Sequence, residues 1–221
     1  MIKQLIFCSL LFCSLTVQAW ALTPSEVVDR VQERYVPADC EALFTQESRL
    51  KAMGTIDTAS GRVYFKKPNM MRWDYELPEK QSVISNGKNL WIYRPDDAQV
   101  MTGRSADYFD AGEGMSFLLD IPAMRSQFEI QFAKTEETGV QDHVLELIPH
   151  VRRPSVSKVY LSIDKTTFDI TRAKVVNSDK DITVVFFSQV KFGKEHPATF
   201  FSFQVPKGVE ILQMEKDGPR I

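Results

Sequence analysis

Basic charge is not in excess in this chain of 221 residues: 27 Lys and Arg stand against 29 Asp and Glu, a net charge of −2. Binding to nucleic acid through a charged stripe is therefore not indicated. Cysteine is scarce. Of the three present, Cys8 and Cys13 lie in an N-terminal segment set aside below, which leaves Cys40 alone. No internal disulfide can form, so the fold must stand on its core, and the plain role for Cys40 is that of a small buried hydrophobe. Histidine is equally scarce, and none of His143, His150 and His196 has a second ligand at a zinc or iron spacing. There is no P-loop, no dinucleotide glycine pattern and no nucleophile elbow. Neither a metal nor a cofactor is expected. Asp74 and Glu76, two residues apart on one strand face, form a carboxylate pair that acid-base chemistry could use. Ion pairing with Arg72 or Lys66 is the simpler role for them.

Residues 1–21 have the form of a secretory signal. Lys3 is the only charge, Leu5 to Val17 is apolar with small polar interruptions, and Val17-Gln18-Ala19 and Ala19-Trp20-Ala21 both offer small-residue cleavage sites, the second the better one. The run is too short to span a membrane. Phe7 and Phe12 precede the two cysteines, where a lipid-attachment site would need a small residue. The expectation is a soluble protein, exported and released without a lipid anchor, with residues 22–221 forming a single domain.

Aromatic residues are plentiful, with 15 Phe, 6 Tyr and 3 Trp, and they gather in a strand-rich centre. Gly61–Lys66, Met70–Leu77, Gln81–Ser85 and Asn89–Arg94 predict four short strands, with turns at Pro68-Asn69, Pro78-Glu79 and Asn86-Gly87. Asn86-Gly87 is the pair favoured by a type I′ hairpin turn. In the second strand Met71, Trp73, Tyr75 and Leu77 share one face while Arg72, Asp74 and Glu76 share the other. That period of 2 places one face on an apolar interior and the other in water. Leu90 to Tyr93 is apolar on both faces, so its outer side needs a cover.

Upstream, Thr23-Pro24-Ser25-Glu26 carries a cap, a proline for the first helical position and the second half of a capping box. Val27, Val28, Val31 and Tyr35 then line one face of a helix that ends before Pro37, a face that must pack on something apolar. Cys40–Leu50 predicts a strand, followed by turns at Met53-Gly54 and at Ala59-Ser60-Gly61. A fifth short strand is expected over Gln99–Thr102. From Gly103 to Arg125 alternation stops, and apolar clusters at Tyr108-Phe109 and at Met115 with Phe117 to Leu119 suggest short helices on a hinge. Strand patterns resume at 128–132, 140–148, 157–163, 170–176, 182–190 and 200–205, with a last piece at 209–212. Val184 to Phe187 is apolar on both faces, which predicts burial on both sides or a place next to the helix.

Several stretches together resemble the periplasmic outer-membrane lipoprotein carrier family, LolA. They are Phe44-Thr45-Gln46, the block GRVYFKKPNMMRWDY from Gly61 to Tyr75 with Pro78, the block VISNGKNLWIY from Val83 to Tyr93, Gln99-Val100, and the closing FSFQVPKGV from Phe201 to Val209. The resemblance implies a mainly β fold: an incomplete antiparallel β-barrel of about eleven strands, covered by the N-terminal helix and a helical lid around an apolar cavity. It implies that Val63, Phe65, Met71, Trp73, Tyr75, Leu90 and Ile92 line a cavity for acyl chains. Met115, Phe117, Leu118 and Leu119 would belong to the lid. Lys67 stands where the family usually has an Arg that locks the lid. Lys lacks the planar fork of Arg, so a weaker or differently arranged lock is expected.

The implied function is that of a carrier which is not an enzyme. It would take acylated lipoproteins from an inner-membrane ABC transporter and deliver them to an outer-membrane acceptor of similar fold (LolB-like), most simply as a monomer. Two alternatives remain: a sensor of the same fold that binds lipid or lipoprotein without shuttling it, and a lipid-acting enzyme using Asp74, Glu76 or a histidine.

Overall fold

Thr23 starts the first helix by the expected reciprocal cap. Its hydroxyl accepts from the Glu26 N–H at 3.2 Å while the Glu26 carboxylate accepts from the Thr23 N–H at 2.7 Å. Helix α1 (Pro24–Tyr35) follows and buries Val27, Val28 and Val31. The computed structural model describes residues 22–110, 115, 118, 121–122, 124–134 and 142–214; the signal-like segment 1–21 and the lid residues Phe117 and Leu119 lie outside these.

Twelve strands form one sheet: β1 (Cys40–Leu50), β2 (Thr55–Lys66), β3 (Met70–Leu77), β4 (Gln81–Asn86), β5 (Asn89–Arg94), β6 (Gln99–Arg104), β7 (Phe128–Phe132), β8 (Asp142–Pro149), β9 (Lys158–Asp164), β10 (Ile170–Val176), β11 (Ile182–Phe192) and β12 (Glu210–Gln213). Their order is β12-β6-β5-β4-β3-β2-β1-β11-β10-β9-β8-β7. Two antiparallel meanders are thus joined where β1 pairs with β11, and only β12 runs parallel to its neighbour, β6. The sheet is open, because β12 and β7 are its two edges. Two short helices, α2 (Ser105–Asp110) and α3 (Met124–Gln127), lie between β6 and β7. The core sits on the inner face. Val63, Met71, Trp73, Leu90 and Ile92 from one meander meet Leu145, Leu147, Leu161 and Ile163 from the other, and Val28, Leu118, Ile121 and Met124 close over them.

The structure departs from the sequence expectations at four places. Ala59-Ser60-Gly61 is not a turn: β2 runs straight through it, with a shift of register at Ser60/Gly61 against β3. Gly61 is required there by close approach, since a Cβ would sit 2.0 Å from the Asp74 carbonyl oxygen, as expected of a glycine inside a strand. At Asn86-Gly87 only Gly87 has a positive φ, +85°. The Asn86 carboxamide oxygen instead accepts from the N–H groups of Lys88 and Asn89, at 3.0 and 2.8 Å. This side-chain turn replaces the type I′ geometry.

Phe200–Val205 is not a strand. Ala198–Phe201 forms a 3-10 turn that packs on β3 and β4, and the chain then turns at Lys207-Gly208 into β12. This strap covers the outer side of the first meander. Its own Phe201 and the Ile84 beneath it are fully buried, and Phe203 meets Tyr93 with ring centroids 4.8 Å apart. The doubly apolar β5 therefore has its cover. In β11 the expectation fails on one residue: Val184 and Val185 are buried but Phe186 is exposed.

Candidate functional site

The inner face is built from the alternation of β1, β2 and β3. Trp73 stands opposite Val63, and Met71 opposite Phe65. Phe44 lies 4.9 Å from both Trp73 and Tyr75, ring centre to ring centre, while Phe65 and Phe187 lie 6.0 and 6.1 Å from Trp73. Edge-to-face contacts of this kind suit aromatic quadrupoles. Tyr75 donates its hydroxyl to Gln46 Oε1 at 3.1 Å, and burial pushes its pKa up to about 12. Trp73 Nε1 is buried with no hydrogen-bond partner among the described residues.

At the Lys67 end a gap opens into this interior. Tyr35, Phe65, Lys67, Leu118, Ile170 and Phe187 are among its lining residues, and its free volume is about 30 Å³. That is room for a few water molecules at most and far less than an acyl chain fills. An acyl chain can enter only if the covering elements move. Of the residues expected at the cavity, Val63, Met71, Trp73, Leu90 and Ile92 are buried in the core, and Phe65 and Tyr75 are half-buried against it. Phe65, Lys67 and Leu118 border the gap, and Met115 is buried with Leu118 in the core.

Among the described residues, several polar contacts tie the cover. The Ile170 N–H donates to the Tyr35 hydroxyl at 2.9 Å, and Arg34 pairs with Asp169 at 2.9 Å. Arg125, at α3, donates to the Ser25 carbonyl and the Asp29 carboxylate at 2.9 and 2.6 Å. Ser85 on β4 and Ser105 at the start of α2 share a hydrogen bond of 2.8 Å. Sequence patterns do not single out these ties, because each joins distant parts of the chain. Nor do they single out Phe44 and Phe187 as interior rings, although Phe44 follows the alternation of β1.

The groups considered for catalysis are engaged structurally. Asp74 pairs with Arg72 and accepts from Ser82, both at 2.7 Å, and Glu76 pairs with Arg62 on the surface. His196 stacks on Phe200 in the strap and contacts Glu41 at 3.3 Å. His143 lies between Phe132 and Phe168, where burial lowers its pKa. Cys40 is buried and its thiol is pushed up to about 12 by burial, so it stays protonated at neutral pH. No described helix is long and apolar enough to cross a membrane.

Residues 38–204 match the family model described as outer membrane lipoprotein carrier protein LolA. The outer-membrane lipoprotein carrier protein of Azotobacter vinelandii is 30% identical over 207 residues, covering 90% of this chain and 96% of that protein. That of Neisseria meningitidis serogroup C is 26% identical over 208 residues, covering 94% and 96%. A crystal structure of an uncharacterized conserved protein from Thermus thermophilus has the same fold, with a TM-score of 0.55 at 15% identity over 86% of this chain and 98% of that one.

Proposed function

Since this chain belongs to the LolA family of outer-membrane lipoprotein carriers, we propose that it is a periplasmic shuttle for acylated lipoproteins. It receives them from an inner-membrane ABC transporter, shields their acyl chains against the inner face of the sheet and hands them to a LolB-like acceptor on the outer membrane. Residues 1–21 direct export and are removed. The protein works as a monomer, because it docks two partners in turn.

The observation that carries this reading is the way the apolar interior is closed. The sheet does not close it, since β12 and β7 are free edges. It is closed by α1 and the segment after α2, which insert Val28, Leu118, Ile121 and Met124 into the core. A cover of that kind can open without breaking the sheet. The chemistry of the cargo requires such a cover. Three acyl chains of about 15 methylenes each, at about 0.8 kcal/mol per methylene, would cost roughly 35 kcal/mol to expose to water. The carrier must shield most of that surface and still release it.

The test is a release assay. Proteoliposomes holding the transporter and a labelled lipoprotein are incubated with the protein lacking residues 1–21, and the soluble fraction is examined for a one-to-one complex. Energy-dependent release by the wild type, lost or trapped in Met71→Glu, is the expected result. A folded protein that releases nothing would refute the shuttle, and binding without onward transfer would make it a sensor.

A further inference from the structure

We propose that the indole N–H of Trp73 recognises the carbonyl oxygen of an acyl ester or amide, so that the interior selects acyl groups over plain hydrocarbon. This rests on the carrier reading above. Trp73 is 5% exposed, and its Nε1 has no hydrogen-bond partner among the described residues. The surroundings explain why. Its neighbours on the inner face are the rings of Phe44, Phe65 and Phe187, with Val63 across the strand pair. The Phe44 ring, 4.9 Å away, can offer no more than a weak π acceptor.

A buried donor without a partner destabilises the fold that holds it. Phenylalanine would occupy much the same space and carry no such donor. Tyr75, the next polar ring on the same face, has its hydroxyl satisfied by Gln46, so the open valence belongs to Trp73 itself. A ligand that brings an acceptor into this space completes the indole. The methylenes of an acyl chain have none, whereas the ester or amide carbonyl at the head of the chain accepts well. The path is short. Phe65 and Phe187 both border the gap beside Lys67, and both are ring neighbours of Trp73. A chain entering between them meets the indole next.

The experiment compares two probes of equal chain length, dioctanoylglycerol and its diether analogue dioctylglycerol, by calorimetric titration of the protein lacking residues 1–21. The wild type is expected to bind the ester about 5–10-fold tighter than the diether, the worth of one net hydrogen bond. Trp73→Phe is expected to bind both probes alike, at the diether affinity. Heteronuclear NMR supplies a readout on the wild type alone, which stands even if the variant folds poorly. The Trp73 indole resonance should move downfield with the ester and not with the diether, with Trp91 as internal reference. An ester preference that persists in Trp73→Phe, or an indole resonance unmoved by bound ester, overturns the inference. Equal binding of both probes by the wild type also overturns it while leaving the carrier intact. Failure to bind either probe overturns the carrier reading, and this inference with it.

Discussion

The hydroxyl oxygens of Ser85 and Ser105 lie 2.8 Å apart, and both residues are buried. Ser85 also accepts from the Gly87 N–H at 3.1 Å and donates towards the Asn69 carbonyl at 3.4 Å. One side chain thereby joins the β2–β3 turn, the β4–β5 turn and the first residue of α2, from which the cover departs. Ser105→Ala removes one member of this network. The expected loss is about 1 kcal/mol of unfolding free energy, read as a lower urea midpoint at unchanged slope. Faster amide exchange across α2 should accompany it, because the base of the cover is loosened.

Gly61→Ala should be more damaging than any glycine-to-alanine change at a surface turn. The added methyl would lie 2.0 Å from the Asp74 carbonyl oxygen, which is backbone and cannot swing away. The β2–β3 pairing that sets Val63 and Trp73 would have to shift. A loss of about 3 kcal/mol or more is expected in urea unfolding, together with weakened binding of acyl probes.

Phe201→Ala separates the strap from the interior. Phe201 is fully buried, yet it packs on the outer side of β3 and β4. Truncation should cost about 3–5 kcal/mol. Below the melting range, binding of an acyl probe should be retained, since the inner face is untouched. Loss of binding in a still-folded variant would count against the two-sided arrangement.

The pH dependence of stability has an identifiable contributor in Glu146. Its burial favours the neutral acid. That effect is outweighed by hydrogen bonds from Lys158 at 2.5 Å, Gln131 at 2.6 Å and the Tyr160 hydroxyl at 3.0 Å, which hold the carboxyl below its ordinary value of 4.5. A folded-state value below the unfolded one means that the stabilisation is complete above the unfolded value and lost as pH falls through the folded one. The wild type should therefore lose more stability than Glu146→Gln between about pH 5 and pH 3, while the variant should be the weaker protein near pH 7. Urea titrations at those three pH values decide it.

The parts of the fold that are legible in the sequence are those set by short-range pattern. The capping box at Thr23 and Glu26 forms as expected, and β3 begins and ends where the alternation of Met71, Trp73 and Tyr75 does. The doubly apolar β5 correctly demands an outer cover, but the pattern hides what that cover is. The strap is made of Phe200, Phe201 and Phe203, whose aromatic content resembles that of a strand, and its conformation is imposed by the surface on which it lies. Gly61 reads as a turn because a glycine within a strand carries the same local signal as one that ends it; only the approach of Asp74 distinguishes them. At the site, the inward residues of β3 follow from periodicity; those of β2 and β5 come from the family resemblance, since β5 is apolar on both faces and its pattern does not say which side is inward. The ties Ser85–Ser105, Arg125–Asp29 and Tyr35–Ile170 do not, since hydrogen bonds between distant segments leave no periodic trace.

Lys67 is the proposed lock of the cover, and its position makes the proposal testable. It lines the gap together with Leu118, a cover residue, and Phe65, a wall residue. An ammonium on a flexible stem holds an acceptor through a single mobile point, whereas a guanidinium offers a planar fork that loses less freedom per hydrogen bond. Lys67→Arg should therefore lengthen the closed state, and Lys67→Ala should shorten it. With a fluorescent acyl probe loaded on the protein and acceptor vesicles in excess, transfer should slow several-fold in the first variant and quicken in the second, each 1.4 kcal/mol of altered closure being worth a factor of about ten. Equal transfer rates in all three proteins would remove Lys67 from the closing mechanism and leave the cover to the apolar contacts of Leu118, Ile121 and Met124 and to ties such as Arg125–Asp29 and Tyr35–Ile170.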